Sequence, residues 1–461
     1  MKTTALDTDF TSLKTYFNQG HTRSYQFRKK QLKKLKAAIK QNEQAILDAL
    51  HSDMHKPAFE AFTSEVGVLY EEINFALKYL KHWMKPKTVP TPLVHFPSSS
   101  QIITEPLGVV LIIAPWNYPF LLLMAPLVGA MAAGNCAVLK PSEKTPHTAY
   151  IIEKIISDTF SENYIRVVQG IGAEVIPPIM DNFRFDHIFF TGSVPVGKKI
   201  AAQAAKELVP VTLELGGKSP AIVDPTVPVK VTAKRLVWGK FFNAGQTCIS
   251  PDYVLVHDDI KEELISQMIK YVKEFYGDDP SQSQYYTHIV NNHRFQVLAE
   301  YLKQGKIITG GITNENHRYI APTLVENVSL DNPIMQEEIF GPVLPILTYK
   351  NTEDIFEIIS QQPFPLSLYL FTNDKKFEKL ILEKVPFGGG AVNTTLVHFA
   401  NPHLPFGGIG YSGMGRYHGK ASFDTFSHQK SIMKTSFVFD HPLRYAPYKA
   451  WQLKIARWFF S

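Results

Sequence analysis

The apolar positions of residues 1–84 follow a helical spacing. A stripe at intervals of three and four predicts an amphipathic helix with one buried face; its members are Phe62, Val66, Leu69, Ile73, Leu77 and Leu80. Between residues 85 and 101 the pattern changes to prolines, serines and β-branched residues. Such a segment predicts an edge strand or an excursion outside the core.

A regular alternation of apolar runs and helix-length segments follows. Each run is continuously apolar, which is typical of strands buried on both faces of a parallel sheet; the runs are residues 107–113, 136–139, 165–168, 187–190 and 211–215. This order predicts a doubly wound α/β domain. A second α/β region extends to about residue 393, with predicted strands 221–223, 253–257, 344–347 and 367–371 and predicted helices 231–242 and 262–275.

Composition narrows the function only a little. The net charge of +6 is spread over 461 residues, so it is a weak argument for nucleic acid. The densest basic run, residues 28–36, carries leucines at helical spacing and is interpreted as the solvated face of a helix. Residues 1–10 are polar rather than signal-like, and no apolar run is long enough to span a membrane. Two cysteines cannot form a disulfide framework, so a cytoplasmic location is expected.

Those two cysteines stand in different surroundings. Cys136 lies in an apolar, strand-like run and is expected to be inert. Cys248 follows the small and polar residues of Phe-Phe-Asn-Ala-Gly-Gln-Thr, in which Gly245 would let the main chain approach a bound group closely. From this segment alone, a reactive thiol and a buried inert thiol both remain open.

Two polar clusters follow predicted strands at the edge of the sheet where ligands bind. Gly192 and Ser193 form a strand-to-helix turn whose N–H groups suit a pyrophosphate, although the glycine spacing is also that of an ordinary tight turn. Lys140 and Glu143 could hold two ribose hydroxyls, and the glutamate would repel a 2′-phosphate. A surface loop with a helix cap at Ser142 is the alternative.

Two further residues are candidates for chemistry. Asn117 lies between two prolines after the first strand, where it could stabilise an oxyanion together with the backbone N–H of Cys248; an ordinary turn asparagine is the alternative. Glu214 ends an apolar strand before two glycines, a setting that raises a carboxyl pKa and suits a general base, with a cap as the alternative. The spacing of the histidines and cysteines suggests no metal site.

Taken together, the motifs resemble the NAD(P)-dependent aldehyde dehydrogenase superfamily over nearly the whole chain. They are Pro-Trp-Asn-Tyr-Pro (115–119), Lys-Pro-Ser-Glu (140–143), Phe-Thr-Gly-Ser (190–193), Glu-Leu-Gly-Gly-Lys (214–218), Asn-Ala-Gly-Gln-Thr-Cys (243–248), Glu-Glu-Ile-Phe-Gly-Pro (337–342) and the glycine-rich run 404–415. The sequence from there to residue 428 is similar to the class 3 branch.

This resemblance implies that aldehydes, medium- to long-chain aliphatic or aromatic, are oxidised to carboxylic acids. Cys248 would be the nucleophile that forms a thiohemiacetal and then a thioester, with Asn117 holding the oxyanion. Glu214 would activate the hydrolytic water, and its presence argues against a relative that transfers the acyl group to CoA. NAD is the implied coenzyme, with NADP also accepted; the implied coenzyme-binding residues are Trp116, Lys140, Glu143, Gly192, Ser193, Glu338 and Phe340.

The same resemblance implies a division of the chain. A Rossmann-like coenzyme domain would comprise residues 1–86 and 104–215, and an α/β catalytic domain residues 216–410. Residues 87–103 and 411–461 would form a small β bridging element and a tail that build a homodimer. Residues 445–461 mix cations and aromatics as a peripheral membrane anchor does, with a tail packed on the partner subunit as the alternative.

Two other functions stay open on the sequence. A thioesterase or amidase would use Cys248 without a redox step, but it would leave the phosphate turn without a purpose. A structural descendant of the fold would need no reactive groups, although Cys248, Glu214 and Asn117 are all present.

Overall fold

The structure is a computed structural model that describes residues 9–440 and 444–460. Most of the predicted polar start, residues 1–8, lies outside these residues, as do Ser461 and residues 441–443 of the predicted tail. Within the described residues, no helix has both the length and the apolar character needed to cross a bilayer.

The strands of the described residues form four sheets. In chain order they are β1 (Lys87–Val89), β2 (Ser98–Pro106), β3 (Val109–Ile113), β4 (Cys136–Lys140), β5 (Ile165–Val167), β6 (His187–Thr191), β7 (Val211–Glu214), β8 (Pro220–Val223), β9 (Tyr253–His257), β10 (Lys306–Thr309), β11 (Thr313–Asn314), β12 (Tyr319–Ile320), β13 (Thr323–Glu326), β14 (Val343–Tyr349), β15 (Ser367–Phe371), β16 (Gly389–Val392), β17 (Gly413–Met414) and β18 (Ser427–Thr435).

The helices cover these sheets. They are α1 (Thr11–Asn18), α2 (Tyr25–Gln41), α3 (Glu43–Met54), α4 (Ala58–Ala61), α5 (Gly67–Trp83), α6 (Leu121–Ala133), α7 (Pro146–Thr159), α8 (Gly172–Asn182), α9 (Val194–Ala205), α10 (Val229–Phe241), α11 (Lys261–Tyr276), α12 (Asn292–Tyr301), α13 (Pro333–Gln336), α14 (Thr352–Ser360), α15 (Lys375–Lys384), α16 (Gly419–Thr425) and α17 (Ala450–Phe460), with a π-helical turn, Phe62–Val66, between α4 and α5.

The first large sheet has the order β17-β7-β6-β3-β4-β5. All five strands predicted for the doubly wound domain are present, and they pair in parallel. The chain runs outward from β3 through β4 to β5 and then returns to place β6 on the other side of β3. The carboxyl ends of β3 and β6 therefore flank the switch point, the place where such sheets bind ligands.

The second large sheet has the order β10-β13-β14-β9-β8-β15-β16. The four strands predicted for it are present, and β10, β13 and β16 are additional. Its strands run parallel except at β10, which pairs antiparallel with β13. Each large sheet has its own apolar core, which agrees with the predicted α/β architecture.

A third, small sheet joins the Pro-rich segment to the C-terminal segment. Its order is β1-β2-β18, and β2 pairs with β18 along nine residues. The sequence predicts an edge strand or an excursion outside the core here. The segment does lie outside the two large cores and β1 is an edge strand, whereas β2 is the central strand of the small sheet because β18 comes from far along the chain. The domain boundaries themselves stay a prediction.

One residue of the predicted apolar stripe does not lie in the core. Phe62 belongs to the predicted apolar stripe, yet its side chain is 36% exposed, whereas Val66, Leu69, Ile73 and Leu80 are fully buried. Phe62 begins the π-helical turn, whose wider winding shifts the phase of the stripe, so a constant helical period fails at this end.

Candidate active site

Cys248 lies in a loop with an unusual main chain. The α10 helix ends at Phe241 and is followed by a turn in which Asn243 and Ala244 are left-handed, with φ of 53° and 49°. At Gly245 an added Cβ would come within 2.3 Å of the carbonyl oxygen of Gly341. Gly245 therefore permits close approach of the Gly341 main chain, a partner that the sequence analysis does not predict.

The polar residues before the cysteine fasten this loop. Gln246 is fully buried; its amide donates to the carbonyl of His288 at 3.0 Å and accepts the N–H of Val290 at 3.1 Å. Thr247 shares a 2.6 Å hydrogen bond with the hydroxyl of Tyr118. Their polarity is thus structural, and Cys248 itself is the half-buried group of the loop.

An apolar cavity of about 320 Å³ contains Cys248. Its walls come from α4, the π-helical turn, α5, α6, α10 and the loop around residues 396–400; the lining side chains include Phe59, Val68, Leu121, Leu122, Trp238, Phe242, Ile249, Leu396, Val397 and Phe399. None of the lining residues carries a formal charge. The cavity therefore favours an uncharged, apolar ligand next to the thiol.

Glu214 is the last residue of β7, and its side chain is buried. Neither carboxylate oxygen has a hydrogen-bond partner among the described residues. Burial raises the pKa of Glu214 well above its usual value of 4.5. Burial, together with the nearby carboxylates of Glu338 and Glu214, also raises the pKa of the Cys248 thiol. A thiol in this setting rests protonated, so it needs a base to become a nucleophile.

Asn117 is buried in the loop between β3 and α6. One hydrogen of its amide is donated to the carbonyl of Gln246, two residues before Cys248, at 3.0 Å. The amide carries a second hydrogen, and its oxygen finds no partner in the described part of the chain. The amide thus lies beside the cysteine loop, in agreement with the predicted neighbourhood.

Lys140 and Glu143 meet at the carboxyl end of β4. The ammonium group of Lys140 lies 3.3 Å from the Glu143 carboxylate, and that lysine side chain is buried while the glutamate is 36% exposed. Burial lowers the pKa of Lys140. A cation with a half-exposed carboxylate beside it offers one donor and one acceptor, which fits the two hydroxyls of a ribose.

Gly192 and Ser193 form the turn from β6 into α9. The N–H of Gly192 donates to the carbonyl of Glu214 at 3.0 Å, which joins this turn to the strand of the predicted base. Ser193 occupies the cap position of α9 without a side-chain cap bond. The free N–H groups of a helix start at the switch point are suited to phosphate.

Glu338 and Phe340 are brought to the same region from the other large domain. The ring of Phe340 meets that of Trp116 edge to face, with centroids 5.3 Å apart. A Cβ at Gly216 would come within 2.1 Å of a Glu338 oxygen, so the carboxylate lies directly on the main chain there. Burial and Asp252 raise the pKa of Glu338 to about 8.

These residues fit a dinucleotide coenzyme. The second oxygen of Glu338 is buried and has no partner within residues 9–440 and 444–460, which makes it an available acceptor for a ribose hydroxyl. Trp116 and Phe340 present aromatic surface beside it. No group of three or more potential metal ligands is assembled in the described residues.

Sequence reasoning missed a buried charged cluster behind the site. Lys56 and Glu65 form a 2.6 Å ion pair with fully buried side chains, and Glu60 is 8% exposed. Lysine and glutamate are rarely buried unless they are paired. One signal was present: Glu65 stands four residues before Leu69, on the same face as the apolar stripe.

Comparison with known proteins identifies the family of this chain. The family model described as "Aldehyde dehydrogenase family" matches residues 6–432. The 4,4′-diaponeurosporen-aldehyde dehydrogenase of Staphylococcus aureus is 50% identical over 458 residues, which are 99% of both chains. The rat protein named "Aldehyde dehydrogenase, dimeric NADP-preferring" is 43% identical over 94% of this chain and 95% of its own.

Solved structures indicate the same family. The structure titled "Substrate bound state of Staphylococcus Aureus AldH" superposes with a TM-score of 0.96 at 49% identity, covering 98% of both chains. Two more distant structures, 26% and 27% identical, are complexes with NAD+ and NADP. Because the family model spans most of the sequence and half of the residues are shared with a named member, this chain belongs to the aldehyde dehydrogenase family, on its class 3-like branch, and is an NAD(P)-dependent oxidoreductase that converts aldehydes to carboxylic acids.

Proposed function

We propose that the chain oxidises apolar aldehydes, medium- to long-chain aliphatic or aromatic, through a covalent intermediate on Cys248. The uncharged cavity that ends at this thiol carries the proposal. The Staphylococcus aureus relative is named for 4,4′-diaponeurosporen-aldehyde, which supports an aldehyde as the substrate.

The first step is activation of the nucleophile. The raised pKa of the Cys248 thiol keeps it protonated, so the proton must pass to a base before the sulfur attacks the aldehyde carbon. Glu214 is a buried carboxylate with a raised pKa and no hydrogen-bond partner in the part of the chain that the structure describes. It is therefore a stronger proton acceptor than an ordinary glutamate.

The attack gives a thiohemiacetal whose oxygen carries developing negative charge. The second hydrogen of the Asn117 amide and the backbone N–H of Cys248 are the proposed donors to this oxygen. Because the first hydrogen of that amide is already donated to Gln246, the group has one fixed orientation when charge appears.

A bound coenzyme would supply a nicotinamide ring as the hydride acceptor, and loss of hydride from the substrate carbon would leave a thioester on Cys248. Glu338 would hold the nearby ribose, Trp116 and Phe340 would contact the ring, and Lys140 with Glu143 would hold the adenine ribose. Gly192 and Ser193 would receive the pyrophosphate. Glu214 first releases the thiol proton to solvent and then takes a proton from the water that hydrolyses the thioester, while the Cys248 thiolate that leaves is protonated again.

The coenzyme preference follows from Glu143. A carboxylate beside the adenine ribose repels a 2′-phosphate, which favours NAD. The repulsion is limited because Glu143 is partly exposed and is paired with Lys140. We therefore propose NAD as the main coenzyme, with NADP also accepted.

We further propose that the enzyme is a cytoplasmic homodimer. Its two cysteines are both free, which fits a reducing compartment. Strand β18 is an edge of the small sheet, and Phe437 and Val438 just beyond it are almost fully exposed. An unpaired edge with apolar residues is suited to a second subunit, and the rat relative is named as dimeric.

The C-terminal helix α17 supports peripheral membrane contact. Exposed apolar residues along it alternate with basic ones; they are Trp451, Leu453, Ile455, Trp458 and Phe460, with Lys454 and Arg457. A helix of this composition lies at a lipid interface, with its cations toward anionic headgroups. An apolar aldehyde substrate would be concentrated in the same place.

A steady-state assay over a series of straight-chain aldehydes and benzaldehydes, with NAD and with NADP, tests the function. We expect NADH formation, with kcat/KM rising with chain length. Hydrolysis of thioesters or amides without any aldehyde oxidation would contradict the proposal.

A further inference from the structure

The two loops that carry the proposed oxyanion donor and the nucleophile are joined to one buried cluster. The carbonyl oxygen of Asn117 accepts two hydrogen bonds, from the ammonium of Lys56 at 3.2 Å and from the side-chain amide of Asn243 at 3.0 Å. One donor comes from the segment before α4 and the other from the cysteine loop. The peptide plane of Asn117 is therefore fixed from both sides.

Glu65 completes the hold on the Asn117 loop. One of its carboxylate oxygens pairs with Lys56 at 2.6 Å, and the other accepts the N–H groups of Phe120 and Leu121, at 2.9 and 3.2 Å. The Lys56 ammonium also lies 4.3 Å from the centre of the Tyr118 ring. The start of α6 and the loop before it are thus tied to the π-helical turn.

Glu60 fixes the position of the cysteine loop. Its carboxylate accepts the backbone N–H of Asn243 at 2.8 Å and the hydroxyl of Thr287 at 3.2 Å. Asn243 is the left-handed residue that opens the turn before Cys248. A left-handed asparagine is held in place only when its surroundings determine it, and Glu60 supplies that contact.

Burying these charges is costly, and an apolar cluster of similar shape would be about as stable. The contacts that the cluster makes with the two loops explain it better than stability does. We propose that Lys56, Glu60 and Glu65 are positioning residues for aldehyde oxidation, which hold the Asn117 loop and the Cys248 loop in one register so that amide and thiol meet the same carbonyl group. The proposal rests on the roles assigned to Asn117 and Cys248 under the proposed function.

A double-mutant cycle tests it. The variant Lys56→Met/Glu65→Gln removes both charges of the ion pair together, so that neither partner is left buried without the other. It is combined with Asn117→Ala, and single-turnover NADH formation, the KM for aldehyde and the affinity for NADH are measured for all four proteins. Glu71→Gln, on the exposed side of α5, is the matched control and should change nothing.

If the cluster acts through Asn117, the pair variant slows hydride transfer about 10- to 100-fold in the otherwise unchanged enzyme. In the Asn117→Ala background, the pair variant then lowers the rate of hydride transfer less than about threefold. The KM for aldehyde and the affinity for NADH stay nearly constant. If the rate losses of the pair variant and of Asn117→Ala multiply, or if the pair variant causes no loss, the positioning role is wrong. If Asn117→Ala alone leaves hydride transfer unchanged, the oxyanion role falls as well, so the two failures are distinguishable.

A second pair of variants covers the case in which the ion-pair variant does not fold. Glu60→Ala removes the acceptor for the Asn243 N–H, whereas Glu60→Gln keeps an oxygen there. We expect Glu60→Ala to slow hydride transfer about tenfold and Glu60→Gln to recover most of that loss. Equal losses in both variants, or none in either, would refute the assignment.

Discussion

The indole ring of Trp116 and the phenyl ring of Phe340 meet edge to face, with centroids 5.3 Å apart and planes at 78°. Trp116 follows a strand of the first sheet, and Phe340 precedes a strand of the second. The contact therefore joins the two large domains where the sequence places the nicotinamide end of the coenzyme.

Loss of this contact should weaken coenzyme binding. We expect Phe340→Ala to reduce NADH affinity about tenfold, because an aromatic pair and its buried area are lost. Trp116→Ala should do the same, and the double variant should lose less than the product because the rings touch. NADH fluorescence titration measures this. Tyr285→Ala, whose side chain is 60% exposed, is the control; unchanged affinity in Phe340→Ala would contradict the assignment.

Cys248→Ser should abolish aldehyde oxidation, because a hydroxyl is a far weaker nucleophile than a thiolate. NADH affinity should stay within about twofold of the unchanged protein, since the thiol lies on the substrate side. Cys136→Ala is the matched control: this thiol is buried in β4, so its loss should leave turnover intact. Substantial turnover by Cys248→Ser would disprove the mechanism.

Glu214→Gln should slow release of the acyl group more than formation of NADH. The amide cannot take a proton from water, so the thioester accumulates after one hydride transfer. Rapid mixing should show a burst of about one NADH per active site that is itself slowed, because Glu214 is also the proposed base for the thiol, followed by a steady rate reduced by about 10²-fold or more. A steady rate that equals the burst rate would mean that another group activates the water.

The same residue sets a pH dependence. The folded pKa of Glu214 lies above its unfolded value of 4.5, so the unfolded chain loses this proton first as pH rises. Stability contributed by the protonated form is complete below 4.5 and is lost as pH passes through the folded pKa. The Tm of Glu214→Gln relative to the unchanged enzyme should therefore increase with pH over this window. A difference that is constant with pH would show that Glu214 is not buried as a neutral acid.

Glu143→Gln should shift the coenzyme preference toward NADP. Removal of the negative charge lowers the repulsion of a 2′-phosphate, and we expect the ratio of kcat/KM values for NADP and NAD to rise about tenfold. Glu162→Gln, an exposed residue between α7 and β5, should leave the ratio unchanged. An unaltered ratio in both variants would place the adenine ribose elsewhere.

Deletion of the residues after Pro447 should abolish co-sedimentation with vesicles that contain anionic lipid, while turnover of a short aldehyde persists. The deletion removes the exposed aromatic and basic side chains of α17, which supply the proposed contact. Unchanged co-sedimentation with the vesicles would contradict the membrane proposal. A switch from dimer to monomer on deletion, seen by light scattering, would instead assign the helix to the partner subunit.

The doubly wound sheet was predictable because its strands are buried on both faces, so each one is a continuous apolar run. Strand β16 shows the opposite case. Two of its four residues are glycines and all are only half-buried, so Gly389–Val392 has neither apolar continuity nor alternation. The central position of β2 depends on β18, and no local pattern reports a partner so distant in sequence.

The candidate site was predictable where a motif carried it. Cys248, Glu214 and Asn117 were identified by matching motifs, and the structure places Asn117 beside the cysteine loop. Lys56 and Glu60 could not be found in this way, because a charged residue in a helical segment is normally assigned to solvent. Only the fold reveals that their partners are main-chain groups of two other loops.

Strand β17 has a consequence for how the enzyme is made. The residue that lies opposite Glu214 at the edge of the first sheet is Gly413. During synthesis β7 leaves the ribosome long before β17 exists, so the nascent chain carries an open sheet edge at the proposed catalytic base. Pairings this distant in sequence form late. The oxidative activity should therefore arise only when nearly the entire polypeptide has emerged.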